Sequence, residues 1–290
     1  MNFHRSILTL AVGAALCGLG AFSASAQEAD APPKLSWSFH GPFGTYDPGQ
    51  LQRGFKIYRE VCSNCHSIKL LSFRNLAEPG GPGFTEAQAR AIAATFQVTA
   101  GPNDEGQMFQ RPGLIADRFP PPFPNDQAAA AALGGKAPPD MSTLAKARGY
   151  EAGFPYFITD AFTLYQEAGP DYIHALLNGY TDPPADFSLA PGRQYNKYFP
   201  GHTIAMPPPL SDGQVEYTDG TPMTVDQYGK DVAAFLMWAA EPNLDARHRL
   251  GFQVMIFLIV FSALLYLAKK KVWHDVHHDP ELEGQRGSSV

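Results

Sequence analysis

The segment Cys62-Ser63-Asn64-Cys65-His66 constrains this chain more tightly than any other. Two thiols at C-x-x-C spacing with a histidine directly behind them have the pattern of a c-type haem attachment site. On one helical turn the two sulfurs reach the vinyl groups along one porphyrin edge. The adjacent imidazole then lies under the iron as proximal ligand. A zinc half-site would need a second pair of Cys or His at matching spacing, and no cysteine follows Cys65. A redox dithiol would call for a βαβ setting, which the pattern lacks. The expectation is one haem c, bound covalently through Cys62 and Cys65, with His66 on the metal.

The remaining cysteine, Cys17, falls in a segment with the signature of a secretory signal. Residues 1–26 carry Arg5, an apolar run from Ile7 to Leu19, and the small-residue ending Ala24-Ser25-Ala26. A second apolar run, 250–268, is long enough at about 1.5 Å per residue to cross a hydrocarbon core of about 30 Å. Lys269, Lys270 and Lys271 follow it, with Trp273 at interfacial depth. Positive charge marks the cytoplasmic side. The expected layout is a cleaved signal (1–26), a periplasmic haem domain (27–249), a transmembrane helix (250–268) and a cytoplasmic tail (269–290), in a bacterial inner membrane crossed once.

Net charge is −6 for the whole chain; outside residues 1–26 and the tail, 17 basic groups face 24 acidic ones. Such a surface makes nucleic acid an improbable partner and attracts a basic protein.

Within the exported part the periodicity is helical and the fold class mainly α, with long loop insertions. Asp47 and Pro48 open a helix running through Leu51, Phe55 and Tyr58 toward Cys62. Thr85 with Gln88, and Thr224 with Gln227, have the spacing of capping boxes. The stripe Val225, Tyr228, Val232, Phe235, Leu236, Ala239 marks the clearest helix, closed by Pro242. Short helices are expected at 142–148 and after Pro170. Residues 98–139 and 180–222 read as ordered loop, and 243–249 as a hinge before the anchor. No internal repeat and no large sheet are visible.

The second axial ligand decides the chemistry. A thioether closes the iron for electron transfer, whereas an open site would admit peroxide or a gas. Met255 falls in the membrane run and Met237 on the last soluble helix, which leaves Met108, Met141, Met206 and Met223. Met206, on a loop before that helix and stiffened by Pro207, Pro208 and Pro209, fits best. Another ligand remains open, with His202 the main rival. Arg111 has the fork to hold a propionate, although pattern alone favours a surface arginine.

Taken together these segments resemble the cytochrome c1 family, the haem c subunits of cytochrome bc1 complexes. The resemblance rests on residues 62–66, on Gly101-Pro102-Asn103 with Gly106–Gly113, on Asp117–Pro120, Tyr198–Gly201, Ala205–Pro208, Phe235–Pro242 and the terminal anchor. It implies a class I cytochrome c-like domain, Met206 as distal ligand, Arg111 on a propionate and Pro102 lining the pocket. It further implies single-electron transfer from a Rieske iron–sulfur protein to a soluble basic c-type cytochrome. Cytochrome b would be a partner, within a dimeric complex, and the chain would catalyse no reaction of its own. Two departures stand out: Arg118 where members often carry an aromatic residue, and no extra cysteine pair for the distal loop. A tethered cytochrome outside such a complex, or a haem peroxidase with an open iron site, are the competing readings.

Overall fold

The computed structural model describes residues 29–149, 158–160, 165 and 167–274. The expected signal, residues 1–26, and the tail beyond His274 lie outside them.

Helix α1 spans Pro48–Glu60, and its start follows the sequence: the Asp47 carboxylate accepts from the Gly49 and Gln50 amides ahead of Pro48. It runs into a 3-10 turn, Cys62–Asn64. A second 3-10 turn covers Phe73–Ala77. Helix α2, Glu86–Ala94, carries the full Thr85/Gln88 capping box. A hairpin follows, with β1 (Gln97–Ala100) antiparallel to β2 (Phe109–Pro112) and Gln97 opposite Pro112. Next come α3 (Asp126–Ala132), α4 (Leu144–Ala147) and α5 (Ala168–Asn178). The two-residue strands β3 (Gln194–Tyr195) and β4 (Thr203–Ile204) pair antiparallel. Two long helices end the described chain: α6 (Val225–Ala240) and α7 (Leu244–Val272).

The core forms where α1 and α5 pack on α6. At Gly54 a β-carbon would collide with the Asp231 carbonyl and stand 2.6 Å from Cβ of Phe235, so α1 and α6 touch backbone to backbone. Phe55, Tyr58, Phe119 and Phe235 close over that crossing with ring centroids 5.7–6.2 Å apart. Asp231, fully buried, has its charge matched there. It takes Nε of Arg53 at 3.0 Å, the Tyr217 hydroxyl at 2.9 Å and the Gln227 amide at 2.9 Å. The Gln227 side chain is thereby diverted from the expected capping box, and only the half in which Thr224 accepts from the Gln227 backbone forms.

Three expectations need correction. Residues 98–139 are not all loop: they contribute the hairpin, whose 101–108 tip is turned by Asn103 accepting from the Glu105 and Gln107 amides, and α3, capped by Asn125. The stretch 180–222 contains the β3–β4 pair. The segment 243–249 is no hinge, since α7 starts at Leu244, which is buried in the core. Asp245 accepts from the Tyr46 amide at 3.2 Å, and Nδ1 of His248 meets the Gly44 carbonyl at 2.8 Å. A 29-residue helix is about 44 Å long. From Leu250 onward its side chains are exposed, and it is long and apolar enough to cross a membrane.

Candidate haem site

The turn after α1 is fixed to the helix that precedes it. The Cys65 and His66 amides both donate to the Cys62 carbonyl, at 3.1 and 2.8 Å. Ser63 Oγ returns to the Arg59 carbonyl at 2.8 Å, and the Asn64 amide reaches Glu60 and Val61. Between them, Ser63 and Asn64 satisfy carbonyls that a helix end leaves open. The thiols of Cys62 and Cys65 are free, and burial pushes that of Cys62 up to about 12. Among the described residues no group of three or more His, Cys, Asp or Glu has a metal-holding arrangement.

His66 is buried, with Nδ1 2.9 Å from the Pro139 carbonyl. A carbonyl can only accept, so Nδ1 carries the proton and Nε2 keeps its lone pair for a metal. Burial, outweighing the Pro139 bond and the Asp140 charge, holds the imidazole below its ordinary pKa and hence neutral. Two cysteines on one turn and an imidazole with its tautomer fixed form a donor set that fits haem c.

Residues 139–142 form a buttress beneath this histidine. The Asp140 carboxylate accepts from Ser67 Oγ at 2.7 Å, from the Lys69 amide at 3.0 Å and from the Ser142 amide at 2.9 Å. The Met141 amide donates to the Ser67 carbonyl at 2.8 Å. Burial alone would raise the Asp140 pKa, but the bonds from Ser142, Lys69 and Ser67 outweigh it and hold the group below the usual carboxylate value. Sequence reasoning missed this buttress because it straddles the join between the expected ordered loop, 98–139, and the short helix expected at 142–148. The available signal was Asp140-Met141-Ser142, since Asp readily bonds the backbone two residues on.

Among the candidate methionines, Met237 is buried in the core as expected, while Met108 and Met223 are exposed. Met141 is buried, but its backbone is tied to Ser67, on the side of His66. Met206 is half-buried between the buried residues Ile204 and Leu210, and its carbonyl accepts from the Tyr180 hydroxyl at 3.1 Å. The rival His202 is occupied within its own loop. Its Nδ1 meets the Asn196 carbonyl at 3.2 Å, its ring stacks on Tyr195 at 5.3 Å, and its φ of +56° sets the bend.

Arg111, on β2, forks onto Asp117 with Nη1–Oδ2 at 2.5 Å and Nη2–Oδ1 at 2.9 Å, and this pairing pulls the Asp117 pKa down. Its partner here is therefore a carboxylate of the chain itself. Pro102 is exposed at the hairpin tip and follows a cis bond from Gly101. Arg118 directs Nη1 to the Lys69 carbonyl at 3.2 Å, beside the buttress.

The profile of the Cytochrome C1 family matches residues 37–276. The chain is 50% identical over 262 residues to a cytochrome c1 of Blastochloris viridis, covering 89% of this chain and 93% of that protein. It is 46% identical over 261 residues to a cytochrome c1 of Rhodospirillum rubrum, covering 84% and 88%. Against a cytochrome b/c1 of Bradyrhizobium diazoefficiens the identity is 56% over 273 residues, covering 94% of this chain but only 40% of that longer protein. The C-x-x-C-H turn, the oriented histidine and the one long apolar helix among the described residues agree with these matches: the chain belongs to the cytochrome c1 family, in its bacterial form, and so to the haem c electron-transfer subunits of cytochrome bc1 complexes in respiratory electron transport.

Proposed function

We propose that the chain accepts single electrons from a Rieske iron–sulfur protein and passes them to a soluble, basic c-type cytochrome, working beside cytochrome b in a dimeric complex. It makes and breaks no substrate bond itself. Cys62 and Cys65 would hold haem c covalently, His66 and Met206 would be its axial ligands, Arg111 would meet a propionate, and Pro102 would line the pocket. Bound there, the haem would supply a one-electron iron couple whose potential the thioether raises. The observation that carries this reading is the His66 Nδ1–Pro139 contact, which leaves Nε2 free directly behind the two cysteines.

The chain's own residues supply the rest. Pro139 and Asp140 fix the proximal ring. Pro207 to Pro209 and Tyr180 restrain the loop that presents Met206. For Arg111 to serve a propionate it must share or give up Asp117, so the fork is a reserve of positive charge close to the hairpin. Cytochrome b as a neighbour is supported by the Bradyrhizobium relative, whose name joins the two cytochromes. We place 1–26 as a cleaved signal, 27–249 in the periplasm, 250–268 across the inner membrane and 269–290 in the cytoplasm. The order of apolar run and lysines supports that orientation.

The test is isolation from the native membrane. A low-spin haem c spectrum unchanged by carbon monoxide, with cytochrome b and an iron–sulfur protein co-purifying, is expected. A carbon monoxide adduct in the wild type would favour an open-site peroxidase, and isolation alone would favour a tethered cytochrome outside a complex. Because acidic groups outnumber basic ones in the exported part, the bimolecular rate to the soluble acceptor should fall steeply as salt shortens the field to about 10 Å at 0.1 M. A flat salt dependence in stopped flow would mean apolar docking.

A further inference from the structure

A cavity of about 390 Å³ lies where α7 leaves the haem domain. One wall is formed by Phe39, Gly41, Pro42 and Phe43. The other is a single face of α7, where Leu244, Arg247, His248, Gly251, Phe252 and Met255 recur at helical spacing. The chemistry of that face changes within one turn. Arg247 and His248 precede the apolar run, Phe252 and Met255 lie inside it, and Gly251 leaves the gap between them. Arg247 donates Nε to Glu241 at 2.7 Å and pairs through Nη2 at 2.6 Å. Glu241 is shared with Lys146 at 2.5 Å, so two cations, Arg247 and Lys146, meet on this one carboxylate. Glu167, recessed under the cavity, has His40 as its own partner at 3.2 Å. Phe43 is 71% exposed, yet its ring packs edge-on to Phe252 with centroids 5.3 Å apart. An exposed aromatic ring set against the first turns of a membrane helix belongs in the bilayer interface.

We propose that this cavity binds a glycerophospholipid, with its phosphate on Arg247 and one acyl chain along Gly251, Phe252 and Met255 beneath Phe43. The proposal rests on the reading of α7 as a membrane span from Leu250. Three observations favour this occupant. The order of chemistry along the wall, cation and then apolar surface, matches that of a phospholipid from headgroup to chain. The Arg247 guanidinium, already on Glu241 through Nε and Nη2, would share its charge with a phosphate diester, which suits it better than a neutral partner. The volume falls within the roughly 300–1,000 Å³ usual for small-molecule sites, enough for a headgroup and upper chain but not for a protein helix.

The experiment uses the full chain in its native membrane complex, with Phe43→p-benzoylphenylalanine as the photoprobe. Irradiation should yield chain carrying the mass of one phospholipid. Gly251→Leu should fill the cavity without distorting α7, because a β-carbon built at Gly251 meets nothing within 4 Å. In that background the lipid adduct should fall at least about fivefold, with haem content and resistance to carbonate extraction unchanged. Equal adduct with and without Gly251→Leu would mean the probe samples only bulk bilayer and would overturn the proposal. A cross-link to a polypeptide would overturn it in favour of a partner subunit. Release of the wild-type chain by carbonate would instead overturn the span on which the proposal rests.

Discussion

The two halves of the candidate haem site are built differently. Around His66, every restraint on the turn itself comes from within eight residues: the Cys62 carbonyl, Ser63 to Arg59, Asn64 to Glu60, and Tyr58 to the His66 carbonyl at 3.4 Å. Only the buttress at 139–142 is distant. The loop carrying Met206 is framed locally only up to His202, through Asn196 and Phe199, and not at Met206 itself. It is bounded by a two-residue strand pair and three prolines, and its carbonyl is held by a hydroxyl 26 residues away. Short-range order costs little loop-closure entropy, whereas a ligand brought in on a long loop must be restrained by several weak contacts at once. The proximal side should therefore persist when the distal side opens, and the reverse should not occur.

The largest expected effect tests that asymmetry directly. Met206→Leu should leave the haem attached, since Cys62, Cys65 and His66 are untouched. It should lower the potential by a sizeable part of the ~0.8 V that axial ligation spans and admit carbon monoxide. Met141→Leu, on the buttress side, should change neither and cost less than about 1.5 kcal/mol as a volume-conserving swap. If Met141→Leu rather than Met206→Leu moves the potential in redox titration, the distal assignment is wrong.

What was legible in the sequence follows the same division. The Asp47 and Thr85 caps and the C-x-x-C-H turn were readable because each is satisfied by neighbours within a few residues. The Thr224/Gln227 box formed only in half because Asp231, on the same helix, needed a donor for a charge that Arg53 and Tyr217 alone did not fully satisfy. The hairpin at 97–112 was hard to read because its strands are only four residues each and the alternation of Gln97–Ala100 runs merely between exposed and half-buried, with none in Phe109–Pro112. Asn125 before Asp126 did announce α3, a capping signal passed over among the flanking prolines. The base of α7 reads as a hinge in the sequence because it lies between the stop at Pro242 and the apolar run from Leu250. Asp245 and His248 are polar because they bind backbone groups of Tyr46 and Gly44.

The buttress provides the next test. Asp140→Asn keeps the shape but weakens three accepted bonds, two from amides and one from a hydroxyl. The residue is partly solvated, so the loss should be only about 1–2 kcal/mol, or about 2–8 °C in Tm for a domain of this size. The sign with pH is fixed by the direction of the shift. The folded pKa of Asp140 lies below the ordinary carboxylate value, so its stabilisation is complete above about pH 4 and is lost as pH falls through the folded pKa. The gap between wild type and Asp140→Asn in thermal melts should be widest near neutrality and close in acid. A gap independent of pH would mean that the buttress acts by shape alone.

The smallest effect concerns Tyr180. Its hydroxyl to the Met206 carbonyl is the one side-chain hydrogen bond found on that residue among the described contacts, and burial keeps the phenol protonated. Tyr180→Phe removes that donor while leaving the ring packed. A neutral hydrogen bond to a partly wet carbonyl contributes about 0.5–1.5 kcal/mol, so the loop should open roughly 2- to 10-fold more often. Equilibrium potential should barely move, because the thioether still returns to the iron. The readout is therefore kinetic: displacement of the methionine by added imidazole, followed by stopped-flow absorbance, should quicken by that factor. Displacement at the wild-type rate would mean that the three prolines hold Met206 without help, and the contrast between a locally framed proximal side and a remotely held distal side would have to be redrawn around Pro207 to Pro209.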